Sequence, residues 1–476
     1  MSTPLTAIFK RTLEEGCIPS QWKEAHVMPI YKKGKKKQPS NYRPVSLTSM
    51  VCKMMERLIR DKIMQHMDAN NLLIDQQYGF RSKRSTVLQL LKILDHWTEM
   101  LDEGNCFDVL YLDFSKAFDT VPHKRLIAKL EAYGITGKVL GWVEDFLTNR
   151  RQRVIINGCL SEWLAVTSGI PQGGVLGPVL FIIYINDLPD LVENFTMLFA
   201  DDTKLYSAVN NQIDQRSLQD DLNKLMKWSE RWQLSFDPSK CKVLHYGRKN
   251  NRYEYTMGVG QEEIVVKSDG EEKDLGVIFT TDLKFSKHIG AAAHKANRVV
   301  GAIRRSFRYL DKNMLTQLYK SLIRGHLEYA NTVWSPMKKG DIEHLEKVQR
   351  RATKLIPELK DTPYPERLKH LKLPSLVYRR ERGDMIETYK ILNGQVDSTG
   401  RSLLNIAEQG YTRGHSKKLQ KHYCRTALRS HAFRNRVVDN WNALPETVVT
   451  APTLNTFKNR LDKHWYNHPN LYHYRD

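Results

Sequence analysis

The 476-residue sequence contains no uninterrupted run of the eighteen or so apolar residues that a helix needs to cross a bilayer. Its most apolar stretch, 175–185, is short and is broken by Gly177 and Pro178. The first residues, MSTPLTAIFK, lack the basic-then-apolar layout of a secretory signal. Cysteine is sparse: Cys17, Cys52, Cys106, Cys159, Cys241 and Cys424 are scattered without close pairing. Neither a disulfide framework nor a zinc site is expected, and a reducing compartment is. Internal repeats and long low-complexity linkers are missing too. Near the C-terminus the scarce residue type is acid. Residues 1–290 hold 39 Lys and Arg against 36 Asp and Glu, whereas residues 291–476 hold 35 against 17. Almost all of the net charge of +21 therefore sits at one end. Solvated helical surfaces usually balance their signs, so this end is expected to meet a polyanion, nucleic acid first and an anionic membrane surface second.

At 41% hydrophobic and this length, the chain can build two or three domains. Up to about residue 290, short β-rich runs lie between longer helical patterns. The run from Val109 to Leu112 ends at Asp113. Residues 123–133 read as a helix stopped by Gly134, and 137–149 as a second, with Val139, Leu140, Val143, Phe146 and Leu147 at helical spacing. Residues 153–157 and 163–168 suggest strands joined at Asn157-Gly158. An apolar helix follows Pro178, and two strands then meet at Asp201-Asp202. A long helix carries Trp228 and Trp232, whose four-residue spacing puts them in the core. A strand over 241–246 follows. Beyond 290 the pattern is helical and basic, with helices expected over 291–308, 312–328 and 342–356. From about 395 the chain is polar and rich in His, Arg and Lys.

The chemistry is carried by acids at two places. Asp113 ends an apolar strand in YLDFSKAFDTV (111–121), and Asp201-Asp202 forms the turn of LFADDTKLY (198–206). Taken singly, an Asp-Asp pair is usually a solvated turn, and an Asp at a strand end usually caps the next element. Adjacent acids in an apolar hairpin repel and resist desolvation, and a divalent cation relieves both penalties. Three such carboxylates suit two Mg²⁺ ions, about 3.5–4 Å apart, clamping a phosphoryl transfer.

The FADD box at 199–202 resembles the catalytic Tyr/Phe-X-Asp-Asp box of reverse transcriptases. YLDFSKAFDTV resembles the aspartate motif that precedes it, and SGIPQGGVLGPVLFIIYINDLP (168–189) the Pro-Gln-Gly segment between them. PIYKKGKKKQPSNYRPVSLTS (29–49) and QYGFRSKRSTVLQLL (77–91) resemble the fingers motifs of the non-LTR class. FDPSKCKVLHYG (236–247) and KDLGVIFTTDLKFSKHI (273–289) resemble the motifs that close the palm and grip the primer. The stretch 433–465 is similar to the C-terminal region of jockey-like long interspersed elements.

The resemblance implies an α+β right-hand polymerase, its fingers and palm carrying an antiparallel sheet over 1–290. A helical thumb would cover 291–395, and a basic extension over 396–476 would contact template RNA or hybrid. It implies RNA-directed DNA synthesis during retrotransposition, on template RNA, DNA primer and RNA–DNA hybrid, with deoxynucleoside triphosphates, no membrane, and a nuclear or cytoplasmic ribonucleoprotein setting. Asp113, Asp201 and the carbonyl of Phe114 would hold two Mg²⁺ ions (or Mn²⁺ in substitution), with Asp202 completing the site. Asp119 would fix the loop and not ligate metal. Lys32 or Lys33, and Arg43, would hold the triphosphate, although KKGKKK (32–37) also reads as a nuclear-localisation signal. Gln172 would lie against the nucleotide, with Gly174 standing where serine is commoner. Phe118 would be the steric gate and Lys240 the general acid, while Arg81, Lys83 and Arg84 would contact template phosphates.

The first fingers motif and any endonuclease are expected to be absent, as in a truncated or decayed element. A non-catalytic RNA-binding remnant is the alternative reading. A group II intron maturase fits less well, since its C-terminal cysteines and histidines are not evident.

Overall fold

The apolar run that ends at Asp113 becomes the strand Phe107–Leu112, the centre of a five-stranded sheet. The structure, a computed structural model, describes residues 2–32, 34–259, 262–407 and 414–474. Phe107–Leu112 pairs antiparallel with Asp202–Ala208 on one side and Lys242–Tyr246 on the other. Phe195–Phe199 extends the sheet past Asp202–Ala208, and Lys267–Ser268 adds a short parallel edge beside Lys242–Tyr246.

Side chains along a strand alternate between faces, and here the two faces belong to different cores. Phe107 and Val109 join Tyr206, Leu244 and Tyr246 against helix Thr86–Asp102 and the helices beyond residue 286. Leu110 and Leu112 join Leu198, Leu205 and Val243 against helices Met50–Ala69, Gly177–Tyr184 and Gln212–Trp232. Trp228 is buried in the second core and Trp232 packs at its edge.

A second sheet lies towards the N-terminus. Its strand Glu24–Tyr31 pairs antiparallel with Tyr42–Leu47 and parallel with Arg150–Ile156. Arg150–Ile156 turns through Asn157 (φ 50°) and Gly158 (φ 85°) into Cys159–Leu160. Two left-handed residues in succession make the two-residue turn that matches strand twist, as the Asn-Gly pair leads one to expect. Leu164–Val166 then folds back on residues 150–152. The helices His123–Ala132 and Gly137–Leu147 fall where the apolar spacing put them, with Gly134 (φ 80°) between.

Past residue 286 the chain is helical. Ser286–Ser306 comes first, then Lys312–Leu318, which runs through a π-helical turn at Tyr319–Ile323 into Arg324–Glu328, and then Lys339–Thr353. Residues on both sides of 395 share one core. Tyr389 of helix Leu376–Leu392 stacks on Phe457 at 4.3 Å, and Trp441, Phe457 and Leu461 are fully buried. Among the described residues no helix is long and apolar enough to cross a membrane. The architecture is α+β, with a largely antiparallel central sheet, a mixed second sheet and a helical region past residue 286.

Candidate active site

The last register pair of the central strands is Leu112 with Thr203, so one step further on Asp113 faces Asp202 across the gap between strands. Phe199 pairs with Asp202 and leaves Ala200-Asp201 as the turn, with Ala200 in the left-handed region (φ 54°). The turn is strapped from outside. The buried Gln77 Oε1 accepts hydrogen bonds from the N–H groups of Ala200 (2.9 Å) and Gly79 (2.7 Å). A Cβ on Gly79 would stand 2.5 Å from the Ala200 nitrogen, so only glycine allows the strap to lie this close. The site acids thus stand on a sheet whose both faces are packed, and a rigid support of this kind is what precise chemistry needs.

The electrostatics are those of uncompensated acids. Loss of water, then the charge of Asp201, pushes the Asp202 carboxyl up to about 6. Burial, then Asp113, raises Asp201, and a hydrogen bond from its own backbone, then the cations Arg43 and Lys32, oppose that rise. Neither Asp201 nor Asp202 enters an ion pair among the described residues. Lys32 and Arg43 lie near the adjoining ends of Glu24–Tyr31 and Tyr42–Leu47, close enough to Asp201 to act on its charge. Lys33 lies outside the described residues. The loop between those strands has its carbonyls turned inward: Tyr31 Oη donates to Gly34, Asn41 Nδ2 to Lys35 and Tyr42 Oη to Lys36. Lys35, Lys36 and Lys37 are exposed.

No three Asp, Glu, His or Cys side chains among the described residues converge into a ready metal cluster. The fit to a cation lies instead in the donor set. It is all oxygen, it suffers mutual repulsion, and it includes a backbone carbonyl outside the ladder. Phe114 forms an isolated bridge with Phe236 in which the hydrogen bonds run from Asp237 N–H to Asp113 and from Ser115 N–H to Ser235. The Phe114 carbonyl takes no part in that bridge.

Lys240 reaches the same place from a turn. Its Nζ lies 3.1 Å from Asp113 and 2.7 Å from Asp237, and Ser239 Oγ donates to Asp237. Burial would lower the Lys240 ammonium, but its hydrogen bonds to Asp237 and Asp113 outweigh that and raise it. Asp119 holds the Pro-Gln-Gly turn: its Oδ1 accepts from Gln172 Nε2 at 2.7 Å and its carbonyl accepts from Ser168 Oγ. Gln172 in turn accepts a hydrogen bond at its carbonyl from Ser46 N–H (2.8 Å). Phe118 stacks on Phe181 at 4.5 Å and is only half-buried.

The basic trio downstream of Gln77 divides. Lys83 is exposed, with φ 60°. Arg81 is half-buried and donates to the carbonyls of Leu73 and Ile74. Arg84 departs from the expected role at template phosphates. Its side chain is only 2% exposed; it pairs with Asp75 and Asp397, donates to the Gln77 carbonyl and covers the Tyr78 ring. Its donor fork is satisfied within the chain, so its work here is to tie the loop after Asp75 to the segment at 397. Three positions were not singled out from sequence: Gln77, Asp237 and Glu56. Asp237 could have been found from Asp-Pro-Ser-Lys, a turn sequence. Glu56 could have been found as an acid inside an apolar helical stripe.

The profile of the reverse transcriptase (RNA-dependent DNA polymerase) family matches residues 31–310. The probable RNA-directed DNA polymerase from transposon BS of Drosophila melanogaster is 28% identical over 375 residues, which cover 76% of this chain and 41% of that protein. The RNA-directed DNA polymerase from mobile element jockey of Drosophila funebris is 28% identical over 449 residues, covering 88% of this chain and 47% of that protein. The chain thus spans less than half the length of these relatives. Among solved structures, telomerase from Candida tropicalis, in complex with a fragment of telomeric RNA, covers 78% of this chain and 60% of its own, with a TM-score of 0.42 and 10% identity.

Proposed function

The chain belongs to the reverse transcriptase (RNA-dependent DNA polymerase) family, and from that premise we propose that it copies an RNA template into DNA by two-metal nucleotidyl transfer during retrotransposition. The observation that carries this reading is the placement of two adjacent, unpaired acids on a tight hairpin beside a third acid at the end of the central strand. Asp113, Asp201 and the Phe114 carbonyl would hold two Mg²⁺ ions, with Asp202 completing the charge, and the ions would activate the primer 3′-hydroxyl and neutralise the phosphates.

The protein's own groups supply the rest. Lys32 or Lys33, with Arg43, receives the triphosphate, the guanidinium fitting phosphate oxygens through its planar fork. Gln172, held by Asp119 and Ser46, lies against the sugar and base. Lys240 stands within hydrogen-bonding distance of Asp113 and Asp237, where an ammonium can give its proton to the pyrophosphate leaving group. Phe118, half-buried on Phe181, meets the sugar with its ring. Arg81 and Lys83 border the template side, and Arg84 supports them without touching nucleic acid.

Extension of a DNA primer on an RNA template tests the reading. Product is expected with Mg²⁺ and, less selectively, with Mn²⁺, and none is expected after chelation. A pure, folded chain that binds hybrid yet never extends it would leave an RNA-binding remnant in place of a polymerase.

A further inference from the structure

Beneath the turn that carries Gln172 lies a buried acid. Helix Met50–Ala69 turns Cys52, Met55, Ile59, Ile63 and Met67 towards the core, and Glu56 stands inside that apolar stripe with no exposed surface. A carboxylate in such a place is strongly disfavoured unless it is partnered. Its Oε2 accepts hydrogen bonds from the N–H groups of Val175 (2.6 Å) and Leu176 (3.0 Å). These residues lead into helix Gly177–Tyr184, so the acid also faces the positive end of a helix. Arg150, itself buried at the start of a fingers strand, lies within electrostatic reach and offsets the charge. Gly174 runs so close that a Cβ there would stand 2.7 Å from the same Oε2. Glu56 Oε1 has no hydrogen-bond partner among the described residues, so the two amides make the carboxylate's hydrogen bonds, with the Cys52 thiol close beside it.

The turn is gripped at its entrance by Ser46 and Asp119, acting on Gln172. Its exit is gripped by Glu56. We propose that Glu56 is a positioning residue for nucleotide selection, fixing through the amides of Val175 and Leu176 the backbone that aims Gln172 at the incoming nucleotide. The proposal rests on the polymerase reading above. Glu56 touches no substrate. It links the fingers helix to the palm turn, so that the two move as one body when a nucleotide is tested.

Three variants of the full chain test this on an RNA template with a DNA primer. Glu56→Ala removes the acceptor, Glu56→Gln keeps one oxygen, and Gly174→Ala pushes the carboxylate away. Glu56→Ala and Gly174→Ala are expected to raise KM for the matched deoxynucleotide about tenfold, with kcat within about threefold, whereas Glu56→Gln stays within about threefold on both. Amide hydrogen exchange across 172–177 supplies a readout independent of activity, accelerated about tenfold or more in Glu56→Ala and preserved in Glu56→Gln. A lower melting temperature with unchanged KM in the folded fraction would overturn the proposal, as would equal damage from both Glu56 substitutions. Should Glu56→Ala fail to fold, Gly174→Ala carries the kinetic test with Glu56 intact. A wild-type chain that shows the exchange pattern but no extension would strike down the polymerase reading and leave the clamp on the turn standing.

Discussion

Two groups of charge in this molecule meet opposite fates. At the hairpin, Asp201 and Asp202 have no ion pair among the described residues, and both carboxyls are driven above the ordinary range. In the C-terminal region, Arg429 and Arg436 are at least as deeply enclosed, yet each is matched. Arg436 makes a two-pronged contact with Asp384, both arms at 2.9 Å, and Arg429 pairs with Asp95 at 2.6 Å. Charge that the fold matches for itself is architecture. Charge that it leaves unmatched marks where something of opposite sign belongs. The same test sorts the basic end of the chain. Lys295, Arg298, Arg304, Arg305, Arg308 and Lys312 are exposed and enter no ion pair among the described residues. They lie along helix Ser286–Ser306, the loop after it and the start of helix Lys312–Leu318, beside the exposed Phe307 and Tyr309. The surplus available to a polyanion is thus expected on helix Ser286–Ser306 more than on the tail.

The comparison can be broken most sharply at the acids. Asp201→Asn should cut primer extension by at least a hundredfold while hybrid binding and melting temperature stay near wild type. Retention of a tenth of the rate would mean that the unmatched charge is idle. The matched charge should respond in the other way. Arg436→Leu leaves Asp384 buried without its main partner, and a loss of about 3–5 kcal/mol in chemical denaturation is expected. If stability were unchanged, the pair would be ornamental.

Neutralising Arg304, Arg305 and Arg308 together to Gln should reduce the slope of log affinity for hybrid against log salt by about 2–3, with stability unaffected. An identical slope would put the polyanion elsewhere. A smaller effect is expected beside the acids, at the half-buried ring. Phe118→Val should improve the ribonucleotide-to-deoxyribonucleotide ratio of kcat/KM by about tenfold, because the ring would otherwise bury a 2′-hydroxyl against carbon. An equal slowing of both substrates would make Phe118 simple packing on Phe181.

The smallest expected effect concerns pH. The Asp202 carboxyl is raised in the folded protein, so it favours folding fully below its unfolded value near 3.8, and that contribution disappears as pH climbs through about 6. Metal-free Asp202→Asn should therefore melt higher than wild type at pH 7, on the order of 2 °C, and level with it at pH 4. A difference that persists at pH 4 would have another cause.

Local signals in the sequence were read well. The Asn-Gly turn, the glycine stop at Gly134 and the apolar run into Asp113 each depend on residues a few positions apart, and each appears in the fold. Pairings between distant segments were not legible. Nothing near residue 24 announces that it will lie parallel to residue 151. Arg84 looked like its exposed neighbour Lys83 because its partners, Asp75 and Asp397, are respectively near and very far along the chain. The tail misled by composition. Phe433, Val437, Val438 and Trp441 hold helical spacing, but the surrounding His, Arg and Lys hid a buried stripe. Among the candidate site residues, the acids declared themselves by type and context, whereas Gln77 and Glu56 act through backbone amides, and a sequence records no amide direction.

The central strand divides its side chains between two cores, and this sets a schedule for synthesis. The side carrying Leu110 and Leu112 finds its partners by about residue 266. The side carrying Phe107 and Val109 has helix Thr86–Asp102 early, but the rest of its cover extends to Trp465. At roughly 5–20 residues per second, a ribosome needs about 10–40 s to make that remaining stretch. Throughout that interval the nascent strand that ends at Asp113 has one finished face and one half-bare face, which makes this the stage at which a chaperone would matter most.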